Sequence, residues 1–181
     1  MPRIGVYICH CGENIAGAVN IEEVRQYAEN LPDVAVARNY LFMCSDPGQE
    51  LIRQDLKSGL VDRVVVAACT PRTHEPIFRE AIAGAGYNKY LLEMANIRDQ
   101  DSWAHWHDKE GATDKAKKLV ASGVAKAAYL EPLEDKFVDV TKSAMVIGGG
   151  VSGMFSALDL ARMGYQVYLV EKNPSIGGNM A

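Results

Sequence analysis

The sequence lacks the features that would direct the protein into a membrane or onto nucleic acid. None of its apolar runs approaches the ~20 residues that a membrane-spanning helix needs. The first ten residues, MPRIGVYICH, contain neither the apolar stretch nor the cleavage site of a signal peptide. Lysine and arginine number 19 against 23 acidic residues, so there is no positive excess to attract nucleic acid or an anionic membrane. We therefore expect a cytoplasmic protein that binds neither.

Cysteine is scarce, and the few cysteines do not form the Cys-x-x-Cys pairs of a zinc knuckle. The chain has four of them, Cys9, Cys11, Cys44 and Cys69. In a reducing compartment, such isolated cysteines indicate metal binding or redox chemistry before they indicate disulfides. The four thiols are therefore the first candidates for a functional site.

Residues 1–130 alternate short apolar, β-branched runs with stretches of helical periodicity. This alternation predicts an α/β domain, in which βαβ units build a doubly wound parallel sheet. The predicted strands are Ile4–Cys9, Val34–Leu41, Arg63–Cys69 and Tyr90–Asn96. The predicted helices are Ile21–Leu31, 47–58 with Asp46 as N-cap, 74–83 with Thr73 as N-cap, and Thr113–Tyr129.

The pattern changes after residue 130, where a charged stretch with a proline, EPLEDKFVDVTKS, covers residues 131–143. Such a stretch is typical of a linker between domains. Residues 144–181 then resemble the first βαβ unit of a Rossmann-like domain, with a strand, a glycine-rich turn, a helix and a second strand. We predict two domains joined by this linker.

The glycine-rich turn has the spacing Gly148-x-Gly150-x-x-Gly153 and is followed by Glu171 at the end of the next predicted strand. The glycines allow a tight turn and a close approach of a pyrophosphate to a helix N-terminus, while the acid accepts hydrogen bonds from ribose hydroxyls. The motif therefore predicts a dinucleotide, either FAD or NAD. The residues expected to contact it are Gly148, Gly150, Val151, Ser152, Gly153, Glu171, Lys172 and Gly178.

Each cysteine follows or ends a predicted strand. Cys9 and Cys69 end the first and third strands, Cys11 lies just beyond the first, and Cys44 lies in the loop after the second. Because the carboxyl ends of parallel strands share one edge, we expect the four thiols at that edge. Four thiolates suit a [4Fe–4S] cluster or a Cys₄ zinc site. Buried cysteines without metal and a redox pair of Cys9 and Cys11 remain alternatives.

Four blocks of sequence resemble the N-terminal region of the A subunit of heterodisulfide reductase, and the glycine-rich turn follows them in the expected order. The blocks are ICHCGENI at 8–15, FMCSDPGQELI at 42–52, VVAACTPRTHEPIFRE at 65–80 and ANIRDQDSWAHWHD at 95–108. The second glycine pair, Gly177-Gly178, resembles that of two-domain flavoproteins such as thioredoxin reductase and favours FAD over NAD.

The resemblance implies an oxidoreductase subunit that is an iron–sulfur flavoprotein and performs FAD-based electron bifurcation. It implies that the electron donor is a hydrogenase or formate dehydrogenase subunit, and that ferredoxin and a disulfide-reducing subunit of the complex are the acceptors. It also maps the four cysteines onto the family's N-terminal cysteines. Many members of the family carry a further cysteine where this chain has Asp101, so the resemblance leaves the assembly of the cluster open.

Two other functions are compatible with the sequence. The first domain could be a non-catalytic docking module for redox subunits, with structural cysteines. An NAD-dependent dehydrogenase that uses Cys69 or His74 is the third hypothesis, and it conflicts with the short dinucleotide unit. Because that unit ends after one βαβ motif, we expect the chain to be a fragment of a longer protein. We expect it to be inactive by itself and prone to pair with a second copy.

Overall fold

The computed structural model describes all residues from Met1 to Ala181. The chain forms two compact units, Met1–Glu134 and Asp135–Ala181. None of its helices combines the length and the apolar character that a membrane crossing requires. The predicted fold class is confirmed, because a parallel four-stranded α/β unit is followed by a second βαβ unit.

The first unit is built on one parallel sheet with the strand order β2-β1-β3-β4. Its strands are β1 (Ile4–Cys9), β2 (Val34–Tyr40), β3 (Arg63–Ala68) and β4 (Leu92–Asn96). Its α-helices are α1 (Glu13–Ala16), α2 (Ile21–Glu29), α3 (Asp46–Lys57), α4 (Pro71–Gly84) and α5 (Lys109–Ala127).

Strand β1 is buried along its whole length because helices cover both faces of the sheet. Its residues Ile4, Val6 and Ile8 pack on one face in the cluster formed with α2 and α5. Tyr7 and Cys9 belong to the opposite cluster, formed with α3 and α4. Burial on both faces explains why the strands are continuous hydrophobic runs rather than alternating ones.

Two helices begin earlier than the sequence predicts. Helix α3 has Ser45 as N-cap instead of Asp46, which is its first helical residue. Helix α4 has Thr70 as N-cap instead of Thr73, and its side chain accepts a hydrogen bond from the Arg72 N–H. The proline that follows each helix start favours the first turn of a helix, so the chain enters the helix there.

A buried polar cluster joins the sheet to α3. The Tyr7 hydroxyl donates to Asp55 Oδ2 over 3.0 Å, and Arg38 donates to both oxygens of the same carboxylate over 2.7 and 2.8 Å. Both Tyr7 and Asp55 are almost completely buried. The charge of Asp55 is therefore stabilised by an arginine on the adjacent strand rather than by water.

Tyr7→Phe is expected to lower the free energy of unfolding by about 1–2 kcal/mol, because it removes a donor from a buried carboxylate. Urea unfolding followed by circular dichroism measures this change. Tyr129→Phe is the matched control, because Tyr129 is exposed. Equal stability of the two variants would contradict the role given to the buried hydroxyl.

The second unit is a two-stranded parallel sheet with one α-helix. Its elements are β5 (Ser143–Ile147), α6 (Val151–Arg162), β6 (Gln166–Val170) and a 3-10 turn at Gly178–Met180. Residues 130–142 contain no regular secondary structure, and 131–142 are exposed to solvent. Exposed apolar side chains on the two strands include Met145, Ile147, Tyr168 and Val170. The unit is thus organised by local hydrogen bonds and has no buried core of its own.

Candidate functional site

The structure brings the four cysteines together at the carboxyl edge of the first sheet. Cys9 is the last residue of β1, Cys69 directly follows β3, and Cys44 precedes α3. The thiols of Cys9 and of Cys69 are each subject to the charge of both Cys11 and Cys44. All four thiols are free. Residues up to 60 positions apart in sequence therefore share one site, because the parallel sheet aligns the ends of its strands.

Cys9 is held by backbone donors of two loops. The N–H groups of Cys11 and Met43 donate to its Sγ over 3.3 and 3.4 Å. Cys11 adopts a left-handed backbone conformation with φ of 50°, a rare and strained state for a residue with a side chain. Burial raises the pKa of Cys9 to about 11 and outweighs these two hydrogen bonds. The thiol is therefore protonated near neutral pH, and a metal that binds it must displace the proton.

Cys69 lies at the start of α4 with two basic groups nearby. Its Sγ is 3.1 Å from His74 Nδ1. Burial raises the pKa of Cys69, while the charge of Arg98 lowers it. The same guanidinium donates from Nη1 to Cys11 Sγ over 3.5 Å. The site thus combines four sulfur atoms with a permanent positive charge.

The segment that carries Arg98 is a π-helical turn, Arg98–Ser102, which the sequence pattern did not predict. Ser102 Oγ donates to the carbonyl of Asn14 over 2.7 Å, and Trp103 Nε1 donates to Asn14 Oδ1 over 3.3 Å. These bonds fasten the turn to α1. Isolated π turns occur frequently at functional sites, yet they have no reliable signal in the sequence.

Asp101 is completely buried within this turn, and neither of its carboxylate oxygens has a hydrogen-bond partner. Burial raises its pKa to about 6, against the lowering effect of Lys115 and His105. No cysteine is among the groups that act on its carboxyl. Asp101 therefore lies apart from the cluster of thiols.

The donor set at the cysteine edge fits a thiolate-bound iron–sulfur cluster. Such clusters are held by four cysteines and tuned by hydrogen bonds to sulfur, and this edge offers four thiols with N–H donors already directed at Cys9. As the side chains stand, no group of three His, Cys, Asp or Glu residues has the arrangement of a metal site. Ligation therefore requires the thiol side chains to converge on the bound group.

The glycine-rich turn of the second unit forms an open groove of about 510 Å³. A side chain at Gly153 would place its Cβ 1.8 Å from the carbonyl oxygen of Gly148, so only glycine fits there. Gly150 is the N-cap of α6, and the N–H groups of the first helical turn lie at the groove. Five predicted residues line it, namely Gly148, Gly150, Val151, Ser152 and Gly153.

The three other predicted residues lie beside this groove. Glu171 accepts hydrogen bonds from the N–H groups of Asn173 and Gly149 over 2.9 and 2.7 Å, and these bonds lower its pKa. Each oxygen keeps a further lone pair for a ribose hydroxyl. Gly178 lies against Gly150, where an added Cβ would come within 3.2 Å of the Gly150 Cα. Lys172 is exposed to solvent next to Glu171.

Comparison with known proteins agrees with both parts of the chain. Residues 144–181 match the family model of FAD dependent oxidoreductases. The chain is 73% identical over 180 residues to a protein of Archaeoglobus profundus that is named as like the A subunit of heterodisulfide reductase. It is 59% identical over 179 residues to the A subunit of the H(2):CoB-CoM heterodisulfide,ferredoxin reductase of Methanothermobacter thermautotrophicus. It is also 60% identical to the second iron-sulfur A subunit of the CoB--CoM heterodisulfide reductase of Methanopyrus kandleri.

These matches cover 99% of this chain but only 26 to 27% of each relative. The chain thus spans about a quarter of the length of the curated relatives it matches. The resemblance predicted from the four sequence blocks and the glycine-rich turn is confirmed over almost the whole chain.

Proposed function

From this similarity to the A subunit of heterodisulfide reductase, we propose that the chain is the N-terminal part of an electron-transfer subunit of a heterodisulfide reductase-type complex. The observation that carries the proposal is the convergence of four free thiols at one sheet edge, in a chain whose next unit matches FAD dependent oxidoreductases. Iron and acid-labile sulfide analysis with EPR on anaerobically purified protein tests it.

In this proposal, Cys9, Cys11, Cys44 and Cys69 ligate a [4Fe–4S] cluster, which accepts and releases single electrons when it is bound. The N–H groups of Cys11 and Met43 stabilise the Cys9 thiolate once its proton is lost. The burial that raises the pKa of Cys9 also keeps water away from its sulfur. These residues hold the ligand set, and the redox chemistry belongs to the cofactor.

The glycine-rich turn is proposed to hold the pyrophosphate of FAD, which exchanges either one or two electrons when bound. The N–H groups of Val151, Ser152 and Gly153 would donate to the phosphates at the positive end of α6. Glu171 would accept from the ribose hydroxyls while it continues to bond Gly149. FAD-based bifurcation would then draw electrons from the subunit of a hydrogenase or formate dehydrogenase, and would divide them between ferredoxin and a disulfide-reducing subunit.

The 181-residue chain is proposed to be inactive by itself, because its second unit has two strands with exposed apolar side chains. FAD is expected to bind such a unit weakly. The same exposed strands are proposed to pair with a second copy when nothing else covers them. Analytical ultracentrifugation and a titration with FAD measure both properties.

Gly150→Ala and Gly153→Ala separate binding from folding within the turn. An added Cβ at Gly150 meets nothing within 4 Å, so this variant is expected to keep its fold and to bind FAD at least about tenfold more weakly by blocking the pyrophosphate. Gly153→Ala is expected to lose the turn itself. Flavin fluorescence titration and NMR spectra of a polypeptide that carries the complete flavin domain measure the two effects, and unchanged FAD affinity in Gly150→Ala would refute the proposed site.

A docking module with structural cysteines is the second candidate function. It is favoured by the exposure of aromatic side chains beside the site, with Trp103 and Trp106 about half exposed, and by the lack of a preformed metal arrangement. Purified protein without metal that has unchanged thermal stability and binds partner subunits would favour this function over the electron-transfer role.

A further inference from the structure

We propose that Arg98 is a positioning residue that supplies the counter-charge of the cysteine site and raises the potential at which its cluster accepts an electron. The inference rests on the proposed function of the four cysteines. It adds a residue that is not a ligand and assigns it control over the reduction potential.

The guanidinium of Arg98 lies directly against the thiols. Its Nη1 donates to Cys11 Sγ over 3.5 Å, and its charge also acts on Cys69. The Arg98 side chain is only 18% exposed, so its interaction with sulfur is weakly screened by water. The only carboxylate paired with it is that of Asp99, which is partly exposed and lies 3.4 Å from its Nε.

Three features hold Arg98 in this position. The indole of Trp103 stacks on the guanidinium, with 4.5 Å between the Arg98 Cζ and the ring centroid. The Trp103 N–H donates to the Arg98 carbonyl over 3.0 Å, which closes the π-helical turn. The indole Nε1 donates to Asn14, on the helix that follows the Cys11 turn. The stacking and the backbone bond therefore restrict the guanidinium to the side of the site nearest Cys11.

The effect on the potential follows from charge alone. Reduction adds one electron to the four-thiolate cluster and makes it more negative, while Arg98 gains or loses neither an electron nor a proton. A guanidinium stays protonated throughout the accessible pH range, so its positive charge is permanent. It stabilises the reduced cluster more than the oxidised one, and the hydrogen bond to sulfur acts in the same direction.

The experiment compares the 181-residue chain with its Arg98→Gln, Arg98→Lys and Trp103→Leu variants after anaerobic reconstitution. Arg79→Gln is the matched control, because Arg79 also stacks on an aromatic ring, that of Tyr90 at 4.6 Å, and is paired with Glu75. Iron content is measured first, and potentiometric titration followed by EPR then gives the reduction potential.

We expect Arg98→Gln to bind as much iron as the unsubstituted chain but to have a lower reduction potential. Arg98→Lys should remain close to the unsubstituted chain, since the charge is kept, and Arg79→Gln should be unchanged. Trp103→Leu should also lower the potential by releasing the guanidinium to solvent, and it supplies the result where Arg98→Gln does not fold.

The outcomes separate the role of Arg98 from the proposed function. A cluster with the same potential in Arg98→Gln, or in Trp103→Leu, overturns the role of Arg98 and leaves the proposed function intact. An unsubstituted chain that binds no iron overturns the proposed function, and the role of Arg98 with it. A lowered potential in Arg79→Gln equal to that in Arg98→Gln also overturns the inference, because it would show a general effect of surface charge.

Discussion

Cys69→Ala and Cys9→Ala are each expected to abolish the iron that the unsubstituted chain binds after anaerobic reconstitution, from about four atoms per chain to background. The physical reason is the loss of one of four thiolates that converge from three strand ends, with no fifth cysteine in the chain to replace it. The visible absorption of the cluster and its EPR signal should disappear together with the iron.

Asp101→Asn is the matched control for this experiment. It changes a buried side chain near the same sheet edge, but no cysteine is among the groups that act on its carboxyl. We expect it to retain its iron. Full iron content in Cys9→Ala and Cys69→Ala would contradict the proposed ligand set, whereas loss of iron in Asp101→Asn would make Asp101 a ligand. Thermal unfolding of each metal-free variant shows whether the first unit is still folded.

Asp101→Asn is also expected to stabilise the protein, by about 1–3 kcal/mol at pH 7.5. The pKa of Asp101 is raised from 3.8 to about 6 by burial in the folded state. Between these two values the unfolded chain loses its proton while the folded chain keeps it. The contribution of Asp101 to stability is therefore lost as the pH rises from about 4 to about 6, and the buried charge destabilises the fold above that range.

Urea unfolding between pH 4 and pH 8 measures this effect as a difference between the two proteins. The stability of Asp101→Asn minus that of the unsubstituted chain should be small at pH 4, increase towards pH 6 and then stay constant. Asp114→Asn makes the same chemical change at an exposed position and should give a flat difference. A flat difference for Asp101→Asn as well would show that the carboxyl is solvated, contrary to its burial.

Much of the fold was predictable because its determinants are local. The continuous apolar runs at Ile4–Cys9 and Arg63–Ala68 predict buried parallel strands, and the structure contains them. The spacing of Gly148, Gly150 and Gly153 predicts the turn, since the Gly153 position leaves no room for a Cβ. Helix starts were predicted less well, because Thr70 and Thr73 are both acceptable caps and the adjacent Pro71 decides between them.

The sequence by itself determined the order of strands and helices, the glycine-rich turn and the position of each cysteine at a strand end, because periodicity and backbone sterics act over a few residues. Only the tertiary structure decided that Arg98 lies against Cys11, 87 residues away, and that Asp101 faces Lys115 and His105 instead of the thiols. Those contacts depend on a π-helical turn after β4 and on its hydrogen bonds to Asn14. Contacts across such distances arise from the packing of the whole sheet, so no local pattern in the sequence records them.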